Sequence, residues 1–260
     1  MLETQLITLT TDFGTQDGFV AQMKGAILGI NPAVRLIDAT HNIPPFSILE
    51  GALVLKGMCP YFPIGTLHLA VVDPGVGSDR RGIVIRAGGQ TFVGPDNGLF
   101  SLVVTGHKTC EIREIQNPDF MRPEPHPTFH GRDLFAPTAA HLSAGRPYYE
   151  VGPLVDNPVT LSIPLVENNA RGLKGAIIYV DRFGNLTSNI DSAMLTGTVG
   201  TVCLGNVIIH GLSRFFGEVS VGEPVALINS FGLLEIAVNR GNASQMLGIV
   251  KNEPIKVFWA

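Results

Sequence analysis

The chain has 260 residues, a formal net charge of −4 and a sequence pI near 6.0. That length holds one large domain or two modest ones, and a slightly acidic chain without a lysine/arginine stripe argues against nucleic acid as a partner. No apolar run approaches the roughly 20 residues of a membrane span, Glu3 stands where a signal peptide carries positive charge, and Cys59, Cys110 and Cys203 are too widely spaced for a disulfide framework or a C-x-x-C zinc site, so a soluble cytoplasmic protein is expected.

Residues 5–11 (QLITLTT) read as a strand, and 17–30 (DGFVAQMKGAILGI) as a helix with Asp17 as its N-cap, ended by Asn31-Pro32. A second strand follows at 34–40, a second helix at 48–62 and a third strand at 66–73. The stretch 81–95 reads as a hairpin turning at Gly88-Gly89. A short helix and a strand come next, then a helix over 131–145 with a kink expected at Pro137. Strands alternating with helices imply an α/β domain with a largely parallel central sheet. Beyond about residue 165 the texture changes: a polar stretch (VENNARGLK) leads into short glycine-punctuated strands, with one helical piece around 242–247. A smaller all-β, barrel-like domain is expected there, so the chain is divided into 1–165 and 170–260.

The chemistry gathers at strand ends. Asp12, Asp38 and Asp73 each stand at or near the end of a predicted strand of the first domain, the edge at which open α/β sheets bind ligands. Asp12, on a glycine-containing loop, suits a ribose diol. Asp73 enters the compact loop Pro74–Gly77, which ends on Arg80 and Arg81. His130, flanked by Phe129 and Gly131, stands at a helix entrance, and His41 competes with it. Asp96-Asn97-Gly98 is ordinary turn chemistry. In the second domain a strand ends on Asp181 before Phe183 and Asn185, whose amide can meet a purine edge, and 228–244 supplies Ser230, Glu235 and Asn239. No phosphate-loop, nucleophile-elbow or H-E-x-x-H pattern is present. The residues therefore favour a nucleoside-like ligand without a phosphate clamp.

TTDFGTQDGFVAQMKG, VVDPGVGSDRR, FHGRD, DRFGNLTSN and NSFGLLEIAVNRGNAS occur in that order. Together they resemble the S-adenosyl-L-methionine (SAM) hydrolases, or SAM hydroxide adenosyltransferases, kin to the fluorinase and chlorinase. The resemblance implies a homotrimer with active sites between one subunit's first domain and its neighbour's second. It implies a catalytic set of Asp73, Arg80 and His130, with Asp12 on the ribose. It further implies that Asp181 and Ser230 hold the methionine end, and that Asn185, Glu235 and the backbone near Val238 lie against the nucleoside. Histidine at 130 and glycine at 131, where halogenases carry tyrosine and the fluorinase a halide-binding serine, imply water as the nucleophile.

SAM is then a substrate, and no cofactor or metal is expected, because a neutral thioether leaves without a proton or a Lewis acid. Asp73, Arg80 and His130 would hold and polarise the water. Asp73 raises the imidazole pKa and Arg80 lowers it, so geometry decides whether His130 or Asp73 is the base. Two other readings remain: a metal-dependent phosphoesterase on Asp12, Asp38, His41, Asp73 and His130, and a non-catalytic nucleoside-binding module.

Overall fold

A computed structural model describes residues 5–260, which fall into two compact units, one ending at Leu161 and the other beginning at Ser162. In the first, β1 (Leu6–Thr11), α1 (Phe19–Ile30), β2 (Arg35–Thr40), α2 (Ile48–Met58) and β3 (Leu67–Val71) alternate. They are followed by β4 (Gly82–Ala87), β5 (Gln90–Pro95), α3 (Ser101–Thr105), β6 (Cys110–Glu114) and α4 (Ala136–Ser143). The six strands form one sheet in the order β2-β1-β3-β5-β4-β6. The β2-β1, β1-β3 and β3-β5 pairs are parallel, and β4 is antiparallel to both of its neighbours.

The sheet is covered on both faces, which accounts for strands that are apolar rather than alternating. Leu67, Leu69 and Val71 of β3 join Met23 and Ile27 of α1 and Ala139 of α4 in one core. Ala70 and Val72 point the other way, into a second core with Leu55 of α2 and Val103 of α3. On α1 the buried residues Val20, Met23 and Ile27 recur at helical spacing.

The β4–β5 hairpin turns at Gly88-Gly89, both with positive φ (58° and 77°), as a tight two-residue hairpin turn requires. Two local expectations fail. The residue preceding α1 is Gly18, and no side chain caps the helix, so Asp17 is not its N-cap. The irregularity expected at Pro137 falls a turn earlier: Gly131–Phe135 winds as a π turn, and Pro137 sits in the first turn of α4, where its missing N–H is harmless.

The second unit holds β7 (Glu167–Asn169), β8 (Gly172–Val180), β9 (Leu186–Asp191), β10 (Val199–Leu204), β11 (Val207–His210), β12 (Pro224–Ile228), β13 (Leu233–Val238), α5 (Ala243–Leu247) and β14 (Pro254–Trp259). The antiparallel order is β11-β10-β14-β8-β9-β13-β12, with β7 paired to β8. A bridge from Ser213 to Leu227 draws the chain beyond β11 towards β12, so the sheet is nearly a barrel around one core. Register shifts in the β8–β9, β9–β13 and β10–β14 pairs supply curvature.

Sequence reading missed β9 because Thr187, Ser188 and Asn189 look like loop. All three are buried and bonded internally: Thr187 to Glu235, Ser188 to the Leu234 carbonyl, and Asn189 to the Pro164 carbonyl. The polar stretch at 166–174 is likewise a β7–β8 hairpin rather than a bare linker.

Candidate active site

In the first unit, chain order places β2 on one side of β1 and β3 on the other, so the direction of winding reverses between β1 and β3. The crevice beyond such a reversal is where doubly wound sheets receive ligands. Thr11 pairs with Val71 across these strands, and Asp12 and Asp73 follow just beyond their ends. Asp38 is different: it lies within β2, opposite Leu9, and binds Lys24 of α1 at 2.6 Å.

Beyond Asp73 the chain folds tightly on itself. The Val76 N–H donates to the Asp73 carbonyl, the Ser78 N–H and hydroxyl both donate to the Gly75 carbonyl, and Gly77 takes φ +79°. This brings Arg80 back over Asp73. Its Nε donates to both carboxylate oxygens (2.9 and 3.0 Å) and its Nη2 donates to Oδ2. The same Nη2 donates to Nδ1 of His130 at 2.8 Å. Asp73 and Arg80 side chains are only 4% and 10% exposed, so the pair is strong by mutual compensation and costly to break from one side.

A guanidinium has donors only, so His130 Nδ1 must accept, and the proton of the neutral ring resides on Nε2. Burial, then the Arg80 charge, press the His130 pKa below the ordinary 6.5, against the opposing pull of Asp73 and Asp133. His130 is thus a neutral ring near pH 7, with Nε2 as its donating atom.

Asp12 accepts the Phe46 N–H at 2.8 Å, and its pKa is raised, chiefly by burial, with a smaller contribution from the Asp73 charge. Phe13, Val71, Val76 and Phe129 join Asp73 and His130 around a cavity of about 140 Å³. Phe13, Phe19 and Phe129 pack edge to face beside it, with centroids 5.3–6.0 Å apart.

The competing residues have other employment. Arg81 turns to Asp96 and to Asn157. Asp96 also accepts the Val159 N–H, so the expected turn at 96–98 is in addition a buried anchor. His41 lies 2.9 Å from the Thr11 hydroxyl and 3.0 Å from Asp38. Asp38 is therefore shared between Lys24 and His41, whereas Asp73 carries the Arg80 fork and also lines the small cavity.

The second unit contains a separate cavity of about 910 Å³, within the range of small-molecule sites. Asp181, Asn185, Ser230, Glu235 and Val238 all line it. Asp181 Oδ1 accepts the N–H groups of Phe183 and Asn185, and its Oδ2 accepts the Asn185 side-chain amide at 3.0 Å. Asn185 thereby spends one of its two N–H donors inside the loop and keeps its amide oxygen and second N–H to offer a ligand. Glu235 Oε2 accepts from Thr187 (3.1 Å) and Asn229 (3.0 Å), and burial lifts its pKa above the usual carboxylate value. Asn229 also accepts the N–H groups of Phe231 and Leu233, which shapes the turn that exposes Ser230.

Residues 7–152 match the SAM hydroxide adenosyltransferase N-terminal domain, and residues 175–256 match the C-terminal domain of the same name. The chain belongs to the SAM hydroxide adenosyltransferase family. It is 38% identical over 264 residues to an (R)-S-adenosyl-L-methionine hydrolase of Salinispora tropica, with 99% of each chain covered. It is 31% identical over 270 residues to a fluorinase of an Actinoplanes species, covering 90% of this chain and 91% of the other. A solved conserved protein from Thermotoga maritima superposes with a TM-score of 0.90 at 36% identity, covering 97% of this chain and 99% of that one.

For this member of the SAM hydroxide adenosyltransferases, sequence reading overlooked Arg214, Phe215 and Phe216, which line the larger cavity and leave both phenylalanines exposed. The available signal was two adjacent aromatics in a loop between strands. Asn229, which bonds Glu235 as well as the N–H groups of Phe231 and Leu233, was also not singled out.

Proposed function

We propose that this protein is a SAM hydrolase that cleaves the sulfonium to adenosine and L-methionine, acting on the (R) epimer named for its relatives. The observation that carries the proposal is the Arg80 guanidinium, forked on Asp73 and donating to His130 Nδ1 at the winding reversal of the sheet. With Nδ1 occupied, His130 serves as a hydrogen-bond donor through Nε2, and Asp73 is left as the proton acceptor. A water oxygen held by His130 directs its remaining lone pair at the ribose 5′ carbon. The C5′–S electron pair passes to sulfur, which leaves as the neutral thioether, and the water proton goes to Asp73. Orientation of this kind is worth about 7–11 kcal/mol in favourable systems. No Lewis acid is required by that leaving group.

Asp12 binds the ribose diol in this scheme, and Asp181 and Ser230 hold the methionine end. Asn185, Glu235 and the Val238 backbone face the nucleoside. As the family resemblance implies, the working enzyme in this reading is a homotrimer that pairs one subunit's first unit with a neighbour's second, in the cytoplasm and without a nucleic-acid partner. Among the described residues no helix is long and apolar enough to cross a membrane.

The test is incubation with each SAM epimer at neutral pH, with and without EDTA and with high chloride, followed by chromatography, with sedimentation for the oligomer. Equal adenosine and methionine from the (R) epimer, indifferent to EDTA, is the expected result. A 5′-chloro-5′-deoxyadenosine product would overturn water as the nucleophile. Returned SAM would favour a binding module, and EDTA-sensitive turnover a metal site.

A further inference from the structure

The motif that delivers His130 continues into two residues with no part in that chemistry, Arg132 and Asp133. Asp133 is 2% exposed, yet it is a charged residue in the π turn Gly131–Phe135. Its Oδ1 and Oδ2 accept Nε and Nη2 of Arg132 at 2.7 and 2.6 Å, and Arg122 Nε lies 3.4 Å from Oδ1. Oδ2 also accepts the backbone N–H of His126 at 3.1 Å, and the Asp133 carbonyl accepts the Arg122 N–H. Asp133 thus ties down the start of the loop that leads to His130 through its carbonyl and the middle of that loop through its carboxylate.

The remainder of that loop hangs from the same hub. Arg132 donates to Gln22 of α1 at 3.0 Å and lies over the Phe129 ring at 5.0 Å. The N–H groups of Arg132 and Asp133 both donate to the Phe129 carbonyl, and the Phe129 N–H donates to the His126 carbonyl. Among the described residues the His130 ring has one hydrogen bond, its Nδ1 on Arg80. Its ring orientation therefore depends on where the 126–129 backbone places it.

We infer that Asp133 is a positioning residue, which holds the 126–130 loop through the His126 N–H and the Arg132 fork so that His130 keeps Nδ1 on Arg80 and Nε2–H towards the reacting water. The last clause rests on the hydrolase reading; the first does not. A buried carboxylate with three cationic or N–H partners is costly to assemble for packing alone, because an apolar residue of similar size fills space without the desolvation penalty. A role in fixing a catalytic ring gives that cost a purpose.

The test uses the full chain with ¹⁵N-labelled histidine rings, His130 being recognised by its absence from the spectrum of His130→Gln. The unsubstituted protein is expected to show a single His130 tautomer protonated at Nε2. Asp133→Asn places a donor where an acceptor is needed. It is expected to give mixed tautomers and kcat lower by about 10- to 100-fold, with KM for SAM within about threefold. Arg132→Lys keeps the charge but loses the fork, and is expected to fall between the two; it decides the question if Asp133→Asn does not fold. Unchanged tautomer and unchanged kcat overturn the inference. So does lost thermal stability with His130 still in one tautomer, which would make Asp133 structural only. If the unsubstituted protein leaves SAM intact, the hydrolase reading fails, and the tautomer measurement alone still decides whether Asp133 sets His130.

Discussion

Three side chains divide one task by their valence in hydrogen bonds. Arg80 can only donate, Asp73 can only accept while ionised, and His130 must therefore accept at Nδ1 and donate at Nε2. Arg80→Lys removes the fork while keeping the charge, and kcat for SAM is expected to fall by about 10²-fold or more with little change in KM. Steady-state kinetics checks this, and full turnover would remove Arg80 from the mechanism. The His130 pKa sits below 6.5, first through burial and then through Arg80. The neutral ring thus persists to lower pH than a free histidine, and the acid limb of kcat/KM is expected below pH 6.5. A limb at 6.5 or above would show that Asp73 and Asp133 outweigh Arg80. The same depression means that the unfolded chain takes up this proton first, so the ring's contribution to stability is present above pH 6.5 and lost as pH falls through the folded-state value.

At the scale of elements, the site is made by two loops that touch. A Cβ built on Gly77 would lie 2.4 Å from the Pro127 carbonyl oxygen, and Gly77 has φ +79°. The Asp73–Arg80 loop thus packs on the 126–130 loop at a point with no room for a side chain, in a backbone conformation that glycine alone adopts freely. Gly77→Ala must strain one loop or push them apart. It is expected to cost about 1–3 kcal/mol in urea unfolding and to lower kcat through the lengthened Arg80–His130 contact. Unfolding and turnover measured on one preparation check this, and a variant equal to the parent in both would place the loops farther apart than described. Element boundaries also explain what sequence reading caught and missed here. Gly88-Gly89 was legible because a two-residue turn with positive φ is local chemistry. Asp17 was misjudged because a carboxylate before a helix caps it only if the backbone turns it inward, and Gly18 takes that place.

For the molecule as a whole, acid sensitivity has an identifiable source outside the site. His68 in β3 is fully buried, lies 2.8 Å from the Thr8 hydroxyl and stacks on Phe92 at 5.0 Å. Burial drives its pKa down to about 4, against a smaller opposing influence of the Gln90 side chain. The folded protein keeps this ring neutral while the unfolded chain protonates it near 6.5, so stability is full above that value and declines as pH falls towards 4. Between pH 7.5 and 4.5 this amounts to about 2–3 kcal/mol. Urea unfolding at both pH values is expected to show that loss in the parent in excess of the loss in His68→Gln. Equal losses would assign acid sensitivity to other groups.

The sequence by itself determined what depends on neighbours a few residues away. The helical spacing of α1, the apolar run of β3 into Asp73, the tight Gly88-Gly89 turn and the change of texture near residue 165 are all written in short windows. The ordered motifs also named Asp73, Arg80 and His130, and five residues of the larger cavity. Only the tertiary structure decided how those groups are bonded and buried. The seven-residue step from Asp73 to Arg80 is a loop, but His130 is fifty residues beyond Arg80, and a hydrogen bond between them exists only once the sheet has brought both loops to one edge. The same long-range closure buries Thr187, Ser188 and Asn189 in β9, fixes the tautomer of His130, and assigns Asp133 to a loop rather than to solvent. Burial and charge at a site are sums over partners distant in the chain, and no local window contains them.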